Sequence, residues 1–577
     1  MSDQGAAAFY DARPWERCYG TRHGTDPTLQ ELTTVADIAR RRAEQTPRLP
    51  AYTACLENGL HASLDFATVD RLADCFAAWL IAEAGIRPGD RVALQMPNSL
   101  PYPIAVFGTL RAGAVLVNIN PLFTPREMQH QLSDSGARVL VIVDLFADKL
   151  SGALTGTAVE EVVLTGIADL FPWLKRGLVH GVLRAKREIP AAPPNARRLG
   201  AVLSRGEHLG PQPWPERGAD DLALLQYTGG TTGLPKGAEL RNRNILANLG
   251  QISAMAGDAI RPGQDVVLTA LPLYHIFAFT FNLLTFHHYG CRNILCPSPR
   301  PVDKLRKAFE QFPVSKFSAV NLLFHGLLQA EWFRNNPPRH LDFAIAGGTA
   351  LHRSTAEQWR SLLGHTPLEG YGLTETSPVL AVNPPHGENR LGSVGVPLPG
   401  TDVRIVDDND QPAPQGQTGE IVGRGPQVFE GYWQRPEENR LALRGGWFHT
   451  GDIGYMDSDG YIHIVDRKKD MIDVSGFNVY PNEVEEALAE HPAVAEVAVV
   501  GAPRGEAGET VVAFVVTPGD EELTEPELID FARQQLTNYK VPRRVIFRDA
   551  LPKSAVGKLL RRDLREDARA VIEPAAA

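Results

Sequence analysis

Up to residue 465, short aliphatic runs alternate with longer segments whose apolar positions recur at helical spacing. Arg91-Val-Ala-Leu-Gln95, Ala114-Val-Leu-Val-Asn118 and Val139-Leu-Val-Ile-Val143 have the length and apolar interiors of strands covered on both faces. Their alternation with helical stretches predicts layered α/β structure with substantial parallel sheet. Residues 185–220, rich in Pro, Arg and Gly, read as a surface excursion. The pattern changes after Tyr461-Ile-His-Ile-Val465. There the charged cluster Asp466-Arg-Lys-Lys-Asp470 precedes a smaller α+β pattern, with strands at 497–500 and 511–516. Thr524 opens a helix with Glu527 three positions on as a capping box, and Leu528, Phe531, Ala532 and Leu536 fall largely on one face. The expected fold class is therefore α/β: a large multi-sheet N-terminal domain of layered subdomains over 1–465, a hinge at 466–470, and a small mobile α+β domain over 471–577. The bland alternative for the charged cluster is a solvated loop inside one domain.

Composition narrows the function classes. A chain of 577 residues calls for roughly two to four folding units. Hydrophobic residues at 43% and charged residues at 22% are the balance of a globular protein. The net charge of −10 argues against nucleic acid, whose phosphates need an excess of Lys and Arg. Five scattered cysteines fit a reducing compartment, and Cys291 and Cys296 read as structural thiols. Residues 1–20 show no targeting pattern. The richest apolar run, from Ile276 to Phe286, is broken by Thr280, Asn282 and Thr285 and is shorter than the ~20 residues of a membrane span. A cytoplasmic protein is expected, with room left for a peripheral contact on the inner face of a membrane and for a homodimer.

The densest chemistry lies in Tyr227-Thr-Gly-Gly-Thr-Thr-Gly-Leu-Pro-Lys-Gly237. Glycines 229, 230, 233 and 237 let backbone amides approach an anion closely. Thr228, Thr231 and Thr232 add hydroxyl donors, and Lys236 adds a positive charge, a combination suited to a polyphosphate. It is not the Walker loop: no Gly directly precedes Lys236, and Gly237 stands where that motif needs Ser or Thr.

This loop resembles the signature of the adenylate-forming superfamily, which includes acyl-CoA synthetases, peptide-synthetase adenylation domains and firefly luciferase. Further blocks follow in similar order: Leu271-Pro-Leu-Tyr-His-Ile-Phe277, Ala346-Gly-Gly-Thr-Ala350, Gly370-Tyr-Gly-Leu-Thr-Glu-Thr-Ser-Pro378, Trp447-Phe-His-Thr-Gly-Asp452, Asp466-Arg-Lys-Lys-Asp-Met-Ile472, Val474-Ser-Gly-Phe-Asn-Val-Tyr-Pro481 and Pro552-Lys-Ser-Ala-Val-Gly-Lys558. The wording resembles bacterial long-chain fatty-acid–CoA ligases. The resemblance implies that a fatty acid and ATP give acyl-AMP and diphosphate, and that CoA then gives acyl-CoA and AMP. It implies Mg²⁺ as cofactor, with ATP and CoA as co-substrates. Tyr227, Thr228, Gly229, Gly230, Thr231, Thr232, Gly233 and Lys236 would face the β- and γ-phosphates, Thr374 a phosphate, and Glu375 the Mg²⁺. Gly347, Gly348, Tyr371 and Gly372 would surround the adenine, Asp452 would accept the ribose hydroxyls, and Arg467 would reach ribose and phosphate. Lys558 would act on the forming acyl-phosphate bond, with Lys540 and Lys553 nearby as lysines easily confused with it. Lys469 would be the hinge residue, and Ser475, Gly476 and Phe477 would line a CoA channel.

The acyl site is less determined. His275 either orients the substrate carboxylate or is a structural histidine. Phe277, Phe279, Leu322 and Phe324 fit a hydrophobic tunnel and equally an ordinary core. No Asp in these stretches is placed to receive an amino group, which argues against an amino-acid substrate. Glu239-Leu-Arg-Asn-Arg-Asn244 departs from the family, which more often has a hydrophobic residue followed by Thr-His-Arg-Asn; Arg241 and Arg243 are expected to add only surface charge. Two other readings stay open within the family, an acyl-AMP ligase that loads a carrier protein and a medium-chain or aryl acid–CoA ligase.

Overall fold

The computed structural model describes residues 3–20, 29, 31–228, 235–474, 477–503, 509–518, 523–553 and 559–572. The chain forms two compact units. The larger comprises Trp15–Asp402 and Gly423–Phe448; the smaller comprises Met1–Pro14, Val403–Val422 and His449–Ala577. The charged cluster at 466–470 lies inside the smaller unit.

Two sheets organise the larger unit. In the seven-stranded sheet the order is Arg197–Arg198, Glu161–Thr165, Val139–Val143, Arg91–Gln95, Val115–Asn118, Leu222–Thr228, Lys236–Arg241. All its pairings are parallel except the last, where Leu222–Thr228 and Lys236–Arg241 run antiparallel with Thr228 opposite Lys236. The aliphatic runs at 91–95, 115–118 and 139–143 are its buried centre, as their patterns predict. The nine-stranded sheet includes the parallel strands Arg292–Leu295, Val266–Thr269, Lys316–Ala319, Phe343–Gly347 and Leu368–Gly372. Helices such as Phe66–Ala82 and Pro101–Arg111 cover these sheets, the second with every residue buried.

One stretch differs from its sequence reading. Within 185–220 the helix Leu199–Leu209 is packed rather than a surface excursion: Leu199, Val202, Leu203 and Gly206 are buried. A Cβ on Gly206 would overlap the carbonyl of Cys75 in the helix Phe66–Ala82, so the glycine permits that approach. The run containing Thr280, Asn282 and Thr285 forms a π-helix, Ala278–Thr285, with every residue buried. Its polar groups are satisfied internally. Asn282 donates to Thr269 Oγ1 (3.2 Å) and accepts from Ser318 Oγ (2.8 Å), and Asn293 donates to the Asn282 carbonyl (2.6 Å).

Asp402–Val406, Gly419–Arg424, Trp447–Met456 and Ile462–Arg467 belong to one sheet, most of whose residues fall in the smaller unit. A second sheet joins Glu496–Pro503, Glu509–Val516 and Arg544–Phe547, and the helices Pro481–Ala489, Glu525–Gln535 and Arg561–Ile572 pack on these elements. The capping box at Thr524 is present, with Thr524 N donating to Glu527 at 2.9 Å. The architecture is thus mixed α/β, with a large N-terminal and a small C-terminal part.

Candidate active site

Several parallel strands of the larger unit end where the expected site residues lie. Beyond the carboxyl ends of such strands, loops leave the rigid sheet with their backbone groups free, which is where open α/β sheets bind ligands. Phe343–Gly347 ends at Gly347, opposite Gly370 of the next strand. Gly348 follows with φ +81°, in the left-handed region that glycine adopts without cost. The Phe277 ring would lie 3.0 Å from a Cβ on Gly347, so Phe277 packs closely against the strand end. Tyr371 is buried in Leu368–Gly372, paired with Ala381.

The turn that follows is held at nearly every residue. A Cβ on Gly372 would overlap the Pro378 carbonyl. Leu373 N donates to Thr376 Oγ1 (3.0 Å), while the Thr376 hydroxyl donates to Pro378 O. Ser377, at φ +68°, donates its hydroxyl to Gln427 O (2.9 Å), and the π-helix reaches the same turn through Thr280 Oγ1 to Ser377 O (2.8 Å). Thr374 and Glu375 sit within this scaffold, Thr374 half-buried and Glu375 buried. Tyr432 donates its hydroxyl to Glu375 Oε1 at 2.7 Å, and Phe429 N donates to the Glu375 carbonyl at 2.8 Å. Burial, followed by the neighbouring Glu375 charge, pushes the Tyr432 phenol far above its ordinary value, so it remains a proton donor.

Lys236 belongs to the same neighbourhood. Its ammonium lies 5.5 Å from the centre of the Tyr432 ring and 3.5 Å from Glu438 Oε1. The segment carrying Tyr432 is strapped to Lys236–Arg241: Trp433 N donates to Gly237 O (2.8 Å), and Glu239 N donates to Gly431 O (3.0 Å). Arg241 and Arg243 both grip Glu430, Arg241 at 2.5 Å, so they fasten the strap instead of merely adding surface charge. Tyr227 donates to Asp134 (2.7 Å), the same carboxylate that takes Arg435 (2.5 Å). Its ring would be 3.3 Å from a Cβ on Gly237, a tight contact between the two paired strands. Thr228 ends the strand; Gly229, Gly230, Thr231, Thr232 and Gly233 lie outside the described residues.

His275 is half-buried, with its Nδ1 accepting from Phe277 N at 3.4 Å. Gln226 donates to the Tyr274 carbonyl (3.0 Å), joining this stretch to the strand that ends at Thr228. Phe279 and Phe324 are core residues; Phe324 meets Trp359 edge-on at 4.8 Å. Leu322 is half-buried.

In the smaller unit, Asp452 and Arg467 stand opposite each other on adjacent strands, with Arg467 Nε 3.5 Å from Asp452 Oδ1. Asp452 N donates to Thr450 Oγ1 (3.1 Å). Burial raises Asp466 to about 6, against the lowering pull of Arg561 and of the Asn482 and Arg467 amides. The Lys469 carbonyl accepts from Arg565 (3.1 Å), which also pairs with Asp470 (2.9 Å). Phe477 is exposed and stacks on Tyr539, centroids 4.9 Å apart. Ser475, Gly476 and Lys558 lie outside the described residues. Lys540 and Lys553 are ion-paired, with Glu483 (2.5 Å) and Glu496 (2.6 Å).

The sequence reading missed Asp134, Tyr432, Arg435 and Glu438. The available signal was the aromatic and charged run Gly431-Tyr-Trp-Gln-Arg-Pro-Glu-Glu438, which carries no glycine-rich or metal-ligand spacing. Cys291 and Cys296 are buried free thiols, and burial pushes Cys291 up to about 12.

A model of the AMP-binding enzyme family matches residues 39–433, and one of the AMP-binding enzyme C-terminal domain matches 483–558. A long-chain-fatty-acid–CoA ligase of Escherichia coli O6:H1 is 48% identical over 515 residues, covering 88% of this chain and 91% of the relative. One of Bacillus subtilis is 38% identical, with 94% of each covered. Among solved structures, ATP-bound MatB from Rhodopseudomonas palustris superposes with a TM-score of 0.80 at 29% identity, covering 94% of this chain and 100% of that one. The Mycobacterium tuberculosis fatty acyl CoA synthetase gives 0.66 at 28%, with 93% and 99% covered. With a buried carboxylate, a lysine and glycine-bearing strand ends gathered in one unit, and with the family model spanning most of the chain, this protein belongs to the AMP-binding enzyme family.

Proposed function

We propose that this protein is an AMP-forming ligase that joins long-chain fatty acids to CoA. The carrying observation is the buried Glu375 carboxylate, fixed by Tyr432 in a turn that also holds Thr374, with the Lys236 ammonium 5.5 Å from the centre of the Tyr432 ring. The names of relatives at 38–48% identity support the choice of acid and acceptor.

A carboxylate is repelled by the triphosphate it must attack. Joining it to the α-phosphorus therefore depends on positioning and on fixed positive charge. Lys236 and the Thr228-bearing strand end would hold the outer phosphates, and Thr374 would donate a further hydroxyl. The chemistry of Glu375 fits a hard cation: one buried, oriented carboxylate that leaves the other ligands to phosphate and water is how Mg²⁺ is commonly held. Such an ion, when bound, would neutralise charge that develops on the leaving diphosphate. Gly347, Gly348, Tyr371 and Gly372 would frame the adenine, and Asp452 with Arg467 would hold the ribose. Lys558 would stabilise the oxygen bridging acyl group and α-phosphorus. In the second half-reaction the CoA thiolate attacks the acyl carbon and AMP leaves. Ser475, Gly476 and Phe477 are assigned to the pantetheine arm, and Lys469 to the backbone rotation that separates the two steps.

The test is exchange of labelled diphosphate into ATP, together with CoA-dependent AMP release, over a panel from acetate and octanoate to palmitate, oleate and ferulate. Exchange and AMP release that peak at palmitate and oleate are expected. Exchange without CoA turnover would make the chain an adenylate donor to a carrier protein, and a peak at octanoate or ferulate would move the substrate class.

A further inference from the structure

The helix Trp173–Ala185 buries none of its residues. Trp173 is 74% exposed, Leu174 65%, Leu178 61% and Val182 46%. Leu174, Leu178 and Val182 recur every fourth residue and form one stripe. Ala185 is exposed as well, and Gly177 and Gly181 have no neighbour within 4 Å of a would-be Cβ. The adjoining faces fix the helix to the larger unit. Val179 and Leu183 are half-buried, Lys175 Nζ donates to His61 O (2.8 Å), and His180 lies 3.4 Å from Asp169. The apolar stripe therefore points outward by construction.

Its charge is the reverse of the chain's. Between Asp169 and Glu188 there is no acidic residue, whereas Lys175 and Arg176 stand at one end and Arg184, Lys186 and Arg187 at the other; the whole chain carries −10. The side chains of Arg176, Arg184, Lys186 and Arg187 form no ion pair among the described residues. A helix made only for water would not display Trp, two Leu and Val together, and one made for a protein core would not ring them with cations. An apolar stripe with an aromatic at one end and flanking Lys and Arg is the pattern of a helix lying in a membrane interface.

We propose that Trp173–Ala185 docks the protein on an anionic lipid surface, its apolar stripe in the acyl-headgroup boundary and its basic residues at the headgroups. No helix among the described residues is long and apolar enough to cross a membrane, and the attachment is peripheral. Its use to the enzyme, collecting long-chain acids where they partition, rests on the ligase reading; the docking is measured without substrate.

The experiment is flotation of the full-length protein with vesicles of phosphatidylcholine containing phosphatidylglycerol, against phosphatidylcholine alone. The wild type floats with the anionic vesicles and is released by salt. Leu174→Gln/Leu178→Gln/Val182→Gln lowers binding about tenfold or more, while octanoate-dependent AMP release and melting temperature stay unchanged. Arg184→Gln/Lys186→Gln removes the preference for anionic over neutral vesicles. Absence of flotation, equal flotation of wild type and apolar variant, or a wild-type dimer that the apolar variant dissolves in place of vesicle binding would each overturn the proposal. Flotation without any acid-dependent AMP release leaves the docking standing and removes the ligase reading instead.

Discussion

The Glu375 carboxyl group is buried, so its usefulness depends on what surrounds it. The Tyr432 hydroxyl supplies one donor, and the turn around it removes conformational freedom. Glu375→Gln removes the charge that suits a hard cation, and acid-dependent diphosphate exchange should fall by about 10²–10³-fold. Tyr432→Phe keeps the ring beside Lys236 but withdraws the donor. It is expected to raise KM for the magnesium nucleotide about tenfold while leaving the fold intact, since one lost hydrogen bond to a charged group costs about 1.5–3 kcal/mol. Steady-state kinetics over nucleotide concentration check both. Asp466 allows a pH prediction. Its carboxyl is raised by burial to about 6 from 3.8. The folded state thus binds the proton more tightly than the unfolded chain, and this group's stabilising contribution is present below the unfolded value and lost as pH rises through about 6. Asp466→Asn, which cannot ionise, should gain stability relative to wild type between pH 4 and 6, by up to about 3 kcal/mol. Paired denaturant melts across that window measure it, and a flat difference would refute the assignment.

At the scale of elements, local pattern and long-range packing part company. The capping box at Thr524 was readable because both partners lie within one turn, and Thr524→Ala should cost about 1 kcal/mol in denaturant melts. The helix Leu199–Leu209 was unreadable from its Pro- and Arg-rich surroundings, because its place is set by Gly206 meeting a backbone carbonyl on a helix far away in sequence. Gly206→Val should destabilise the larger unit by about 1–3 kcal/mol through overpacking. The π-helix has the same lesson. Thr280, Asn282 and Thr285 look like interruptions of an apolar run, yet the π-helix with neighbouring strands satisfies them and uses Thr280 to hold the turn bearing Glu375. Gly372→Ala would have to displace that turn. Because small misplacements of binding groups cost about 10²-fold, diphosphate exchange is expected to fall by that order with little change in secondary structure by circular dichroism.

Over the whole molecule, the expected chemistry is shared between two compact units. Lys236, Thr374, Glu375 and Tyr371 belong to the larger, and Asp452, Arg467 and Lys469 to the smaller. If Lys469 provides the rotation between half-reactions, Lys469→Pro, which locks φ, should leave acyl-AMP formation within about threefold and reduce CoA-dependent turnover about 10²-fold or more. Single-turnover assays of each step distinguish this from an equal loss in both. The sequence by itself determined the α/β class, the positions of central strands and the order of motifs, because strand period, turn residues and caps act over a few neighbours. Only the tertiary structure decided that residues 403–422 and 449–465 group with the C-terminal part, that Tyr432 seals Glu375, and that Arg241 and Arg243 fasten the strap carrying it. Those contacts join residues separated by tens to hundreds of positions, and a pairing at that distance leaves no periodic trace in the chain.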